Sequence, residues 1–205
     1  MFENGKVKNK TGDTPDYGTS IGQGKLTRDQ LNWLITELKS VPDDFYVVIN
    51  SHFLPYAELI GDEPTGDTKD SWWKKNGNPN VLAGILLAFQ HSTTYQGHSE
   101  FENIDNFDFS AYDITVDISF KGHPSGRVAV WNYGHHHHAG HRTISQNGNF
   151  NLVQFPNMMG SDWSHIGTPT GSQFATELID TKNKKVHVIR FSPLDTSDPE
   201  FTMDF

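Results

Sequence analysis

Two apolar runs constrain the fold of this chain most strongly, because each one ends directly before histidine. The runs are FYVVIN at residues 45–50 and RVAVWNY at residues 127–133. Their β-branched and aromatic residues predict strands, and the first run predicts a strand buried on both faces, as in a sheet covered by other layers. Ser51-His52 follows the first run, and Gly134 with four consecutive histidines follows the second. We therefore expect histidine at the carboxyl ends of two strands.

The remaining pattern predicts an α/β fold. A helix start is expected within residues 26–30, with Thr27 as the cap and Gln30 completing a capping box, and the helix is expected to end near Ser40. NVLAGILLAFQ reads as a second, buried helix. Strands are expected at DITVDISF, NFNLVQFPN, SQFATELID and KKVHVIRFS, with turns at Asn147-Gly148 and Lys182-Asn183.

Length and composition favour one domain over residues 1–205. Residues 1–25 carry no periodic pattern and read as a starting loop, and residues 53–80, rich in Pro, Gly and Asp and containing Trp72-Trp73, read as a long surface excursion. We find no internal repeat.

Charge and residue usage exclude several function classes. A net charge of −9 with scattered basic residues argues against a general nucleic-acid-binding surface. The absence of cysteine from the sequence excludes disulfides, thiolate zinc sites and cysteine nucleophiles. The N-terminus lacks the apolar stretch of a signal peptide, and no apolar run is long enough to span a bilayer. We expect a soluble protein, and the compartment, cytoplasmic or virion-associated, stays open.

The histidines after the two strands point to a metal site. In open α/β sheets, ligands bind at the carboxyl ends of the strands. Neutral imidazole is a good ligand for zinc, iron, manganese or nickel, and Gly134 allows a sharp turn before such a ligand. His135 and His137 are two positions apart, so in an extended segment they would face the same side, roughly 7 Å from each other. Two metals side by side, or a bent loop, explain this spacing better than one tetrahedral ion.

Several segments resemble the calcineurin-like metallophosphoesterases. Ser51-His52-Phe53-Leu54-Pro55 is similar to the histidine-bearing end of a family strand, and Gly134-His135-His136-His137 to the family's Gly-His-x-His loop. LTRDQLNWLITEL resembles the helix that precedes the first of these motifs. KKVHVIRFSPLDTSDPEFTMDF is similar to the closing strands of bacterial and bacteriophage-encoded members. The resemblance extends from about Tyr17 to the end of the chain and preserves the family's order.

The resemblance implies a β-sandwich flanked by helices, two divalent metal ions (manganese, iron, zinc or similar), and hydrolysis of a phosphoester by a phosphatase or phosphodiesterase. If the family's ligand roles apply at the matching positions, His52 and His135 would ligate one metal and His137 would ligate the other. His136 and His138 have no role in the motif. Contact with substrate phosphate, a hydrogen bond to a metal ligand, or a solvent-facing position all stay open for them.

The sequence departs from the family in its first three motifs, which normally lie upstream of the helix at Leu26. Residues 12–16 and 66–70 match the Gly-Asp-x-x-Asp pattern by letter, but neither follows an apolar strand, and we read both as decoys. The chain is therefore expected to lack the N-terminal part of the fold and to hold an incomplete site. The missing part could be lost, cleaved off or carried by a second polypeptide.

Two functions stay open from the sequence. One is a phosphoester hydrolase to which this chain gives the histidine side of a binuclear metal site. The other is a non-catalytic structural or assembly module, such as a virion or cell-surface component, that retains an incomplete fold. Other polar and aromatic residues favour structural or surface roles: His141, Arg142, Asn157, Asp162, His165 and His187.

Overall fold

A computed structural model describes residues 26–51, 78–100, 110–133, 140–144, 150–154, 174–191 and 200–205. These residues form helices and β-sheets, consistent with the α/β class. The helices are α1 (Arg28–Ser40) and α2 (Pro79–His91). The strands are β1 (Val47–Asn50), β2 (Thr94–His98), β3 (Thr115–Ser119), β4 (Val128–Tyr133), β5 (Gly140–Ile144), β6 (Phe150–Gln154), β7 (Phe174–Asp180), β8 (Lys185–Phe191) and β9 (Glu200–Asp204).

The chain forms two compact units. Both helices and the β2–β3 hairpin belong to the first unit, and the other seven strands belong to the second. The prediction that residues 1–205 form one domain, or the C-terminal half of one, stays a prediction.

Helix α1 begins as its sequence predicts. The Gln30 backbone N–H donates to the Thr27 hydroxyl, and the Gln30 side chain accepts from the Thr27 backbone N–H at 2.9 Å, which completes the capping box. Leu31 and Leu38 are buried on one side of the helix. The helix ends at Ser40, before Pro42, so the predicted cap, apolar stripe and end are confirmed.

In the first unit, helix α2 is held at its start by a buried asparagine. Asn78 adopts the left-handed conformation (φ 59°), and its amide donates to the carbonyls of Leu26 and Tyr112. The helix buries most of its length, as predicted, and packs against the antiparallel β2–β3 pair. Strand β3 buries Val116 and Ile118 and exposes Thr115, Asp117 and Ser119, which confirms the alternation in DITVDISF.

In the second unit, one sheet has the order β1-β4-β6-β5. Strands β1, β4 and β6 run parallel, and β5 runs antiparallel to β6. All six residues of β4 are buried, because this strand lies inside the sheet with neighbours on both sides. The carboxyl ends of three parallel strands therefore meet at one edge of this sheet.

The second sheet, β7-β8-β9, is antiparallel and shares a hydrophobic core with the first. The core joins Ala129, Val130 and Val153 of the four-stranded sheet to Val186, Val188 and Met203. The Asn151 amide crosses this core and donates to the carbonyl of Asp204 at 2.8 Å. The predicted turn at Lys182-Asn183 connects β7 to β8, with the Asn183 backbone N–H donating to the Asp180 carboxylate.

The prediction that FYVVIN is buried on both faces is wrong. The strand spans only Val47–Asn50, and Val48 is 38% exposed. Within the described part of the chain, β1 lies at the end of its sheet and pairs only with β4. Apolar composition alone does not distinguish such an edge strand from a central one. Phe45, which precedes the strand, is also exposed.

Strands β2 and β5 were not predicted. Their sequences, TYQGH and GHRTI, are short and polar and contain glycine, which lowers the strand signal. The starting loop (1–25), most of the surface excursion (53–77), the two decoy motifs and the turn at Asn147-Gly148 lie outside the described residues. The last residues assigned to the excursion, Pro79 and Asn80, instead begin helix α2.

Candidate functional site

The candidate site lies where strands β1 and β4 end side by side. The two strands pair in parallel, and Asn50 lies opposite Asn132, although the two residues are 82 positions apart in sequence. The Ser51 backbone N–H continues the pairing and donates to the Asn132 carbonyl at 2.9 Å. The two segments that carry the predicted histidines therefore begin from adjacent, hydrogen-bonded strand ends.

Side chains add two further links between these strand ends. The Trp131 indole N–H donates to the Ser51 hydroxyl at 2.8 Å, and Trp131 is almost fully buried. On the other side of the strand, the Asn132 amide donates to the Asn50 side-chain oxygen at 3.1 Å. Because successive residues of a strand, such as Trp131 and Asn132, face opposite sides, the ends of β1 and β4 are joined on both faces of the sheet.

A third residue, Glu177 of β7, joins this cluster from the second sheet. The Asn132 amide donates to its carboxyl oxygen Oε2 at 2.8 Å. Both N–H groups of Asn132 are thus used, one toward Asn50 and one toward Glu177. The remaining acceptors, Asn132 Oδ1 and Glu177 Oε1, are buried and have no hydrogen-bond partner within the described residues.

The surroundings of Glu177 favour its neutral form. Burial raises the pKa of the Glu177 carboxyl above its usual range, and the hydrogen bond from Asn132 opposes that rise. Asn132 is only 6% exposed. Asn132 and the carboxyl of Glu177 therefore lie largely away from solvent, where their hydrogen bond is stronger than in water, whereas Asn50 is exposed.

The sequence-predicted metal ligands His52, His135 and His137, and the further candidates His136 and His138, lie outside the described residues. Their convergence stays a prediction. The structure brings together the strands that lead to them: His52 comes two positions after Asn50, and Gly134 comes two positions after Asn132.

Sequence reasoning missed Asn132 and Glu177. A signal for Asn132 was present, since an asparagine inside the continuous apolar run RVAVWNY is unusual for a buried strand. Glu177 gave a weaker signal, because it interrupts the alternation in ATELID. Its contact with Asn132 depends on how the two sheets pack, which sequence periodicity does not encode.

Two other histidines have structural partners. His187 of β8 pairs with the Thr202 hydroxyl at 2.9 Å across the strands, in agreement with the structural role expected for it. His98 of β2 lies 3.1 Å from the Asp113 carboxylate at an exposed position. Among the residues that the structure describes, no group of three or more His, Asp or Glu side chains is arranged to hold a metal.

No protein-family model matches this chain, and no curated protein matches it either. In the described ranges, no helix is both long enough and apolar enough to cross a membrane.

Proposed function

We propose that this chain supplies the histidine side of a binuclear metal site that hydrolyses phosphoesters, as a phosphatase or a phosphodiesterase. His52 and His135 would hold one cation, and His137 would hold the other. The proposed architecture is a β-sandwich flanked by helices, of the metallophosphoesterase type.

The parallel pairing of β1 with β4 is the observation that carries this proposal. Carboxyl ends of neighbouring parallel strands are where open α/β sheets bind ligands. Both histidine segments start at such ends, and the ends are held together by the Ser51–Asn132 and Trp131–Ser51 hydrogen bonds. This arrangement supports the convergence of His52 with the Gly134 loop despite their separation in sequence.

Two divalent cations, such as manganese, iron or zinc, fit the chemistry at this edge of the sheet. Three imidazoles from adjacent strand ends match the ligands that these metals accept. The described polar side chains nearest the strand ends are neutral or acidic, which suits the neighbourhood of a cation: Asn50, Ser51, Asn132 and Glu177. Bound there, the cations would neutralise the charge of a phosphoester and activate water for its hydrolysis.

The chain's own residues would bind and orient the substrate. Paired strand ends restrict where the two histidine segments can go, and such pre-organisation lowers the barrier to reaction. His136 and His138 are the available candidates for contact with phosphate oxygens. Where a second polypeptide carries the family's upstream motifs, it would supply the carboxylate ligands, and a phosphoester and that polypeptide would be the partners.

The direct test is metal content together with hydrolysis of an aryl phosphate and an aryl phosphodiester, with the complementary polypeptide present. We expect activity that depends on a divalent metal and is abolished by chelation. His135→Ala and His137→Ala each remove a metal ligand and should reduce kcat/KM by a factor on the order of a thousand or more, as losses of several kcal/mol imply. His138→Ala, the matched control in the same loop, should have a milder effect.

Two outcomes would contradict the proposal. An assembly that binds manganese, iron or zinc but hydrolyses neither substrate would favour the structural or assembly role. Equal losses for His137→Ala and His138→Ala would show that the metal motif has been placed in the wrong register.

A further inference from the structure

Strand β7 places a carboxyl group where its pattern calls for an apolar residue. Ala175 and Ile179, two positions before and after Glu177, pack against the shared core of the two sheets. On the opposite face of the same strand, Phe174 and Leu178 are 52% and 64% exposed. Since residues two apart face the same side of a strand, Glu177 points inward among apolar neighbours.

Stability does not account for this placement. Glu177 Oε1 and Asn132 Oδ1 are buried without a hydrogen-bond partner among the described residues, and each such atom is costly. Burial also raises the pKa of the Glu177 carboxyl. An apolar residue at this position would avoid the cost of burying these polar atoms, so a functional reason for Glu177 is expected.

The contacts of Asn132 indicate what that reason is. Its side chain bonds to Glu177 on one side and to Asn50 on the other, while its carbonyl accepts from the Ser51 backbone N–H. Glu177 therefore fixes the side-chain orientation of Asn132 from the opposite sheet. Through Asn132 it fixes the last residues of β1.

We infer that Glu177 is a positioning residue, which holds the carboxyl ends of β1 and β4 together through Asn132 and Asn50. Its purpose rests on the proposed function, because these two ends lead into the histidine segments. A residue that orients metal ligands from a distance typically changes metal affinity without binding the metal itself.

The test compares Glu177→Leu with Glu177→Gln, which keeps an acceptor for Asn132. Amide hydrogen exchange of Ser51 reports on the β1–β4 junction whether or not a metal binds. We expect exchange about tenfold faster in Glu177→Leu, exchange close to the unmodified protein in Glu177→Gln, and little change in the thermal midpoint of either variant. Glu200→Leu, at an exposed position of β9, is the matched control and should leave Ser51 unchanged.

Zinc or manganese affinity, measured by titration on the same variants, gives the second readout. We expect Glu177→Leu to weaken binding by about tenfold and Glu177→Gln to restore it. If the unmodified chain binds no metal with the complementary polypeptide present, but Ser51 exchange responds as expected, the positioning role holds and the proposed function fails.

Unchanged Ser51 exchange in folded Glu177→Leu would overturn the positioning role, whatever the metal result. If that variant does not fold, Asn50→Ala decides, because it breaks the same link at an exposed residue. Unchanged Ser51 exchange in Asn50→Ala would equally overturn it.

Discussion

At the scale of single residues, Asn132 connects the sequence pattern to the site. It continues an apolar strand without interrupting it, yet its side chain bonds to residues of another strand and of another sheet. The asparagine within the apolar run RVAVWNY could be noticed from the sequence. Its partners could not, because Asn50 and Glu177 reach it only through sheet order and sheet packing, which local periodicity leaves open.

Stability should depend on pH through Glu177. An acid whose pKa is higher in the folded than in the unfolded state binds more protons when folded, so the free energy of unfolding falls as the pH rises. The fall should begin near the ordinary value of 4.5 and continue through the raised folded pKa. Glu177→Gln removes the titrating group, and urea unfolding across this pH range should show a flatter curve for that variant.

Parallel curves for Glu177→Gln and the unmodified protein would contradict this prediction. Asp180→Asn on the same strand is the control. Hydrogen bonds from Asn183 lower the pKa of Asp180, so its stabilising effect should instead be lost as the pH falls.

At the scale of secondary-structure elements, the sequence predicts those features that depend on residues close together in the chain. The capping box at Thr27 and Gln30 and the alternation of β3 depend on neighbours in the chain, and both are confirmed. The exposure of β1 depends on its place at the edge of the described sheet, and β2 and β5 are polar strands that form through pairing. These three features required tertiary contacts that composition does not specify.

Helix α2 offers a test that depends on the sign of a change in the free energy of unfolding. Gly84 to Ala in the middle of a helix normally stabilises by about 0.5–1 kcal/mol. Here a Cβ on Gly84 would overlap the Tyr95 ring, which lies across Gly84 and Gly97. We therefore expect Gly84→Ala to destabilise the protein by roughly 1–3 kcal/mol in urea unfolding.

The control is the same substitution in a Tyr95→Ala background, where the ring is absent. There Gly84→Ala should regain its normal stabilising sign, because the two residues then no longer interact. A stabilising Gly84→Ala in the unmodified protein would show that the Tyr95 ring moves aside without cost.

At the scale of the whole molecule, the order of strands supports the site more than any motif does. Histidines at strand ends were visible in the sequence, but only the parallel β1–β4 pairing puts those ends side by side. Most of the intervening residues, including helix α2 and the β2–β3 hairpin, belong to the other compact unit, after which the chain returns to a strand beside β1. That long connection is why spacing alone could not establish the neighbourhood.

The most direct measurement of the proposed site is a double-mutant cycle on metal affinity. Zinc or manganese titrations of His52→Ala, His135→Ala and the double variant report whether the two residues hold one cation. If they do, each single variant strongly weakens the binding of that cation. The second substitution then adds little to the effect of the first, because ligands of one ion are coupled. Fully additive effects, or unchanged affinity in His52→Ala, would show that the ends of β1 and β4 do not share a metal.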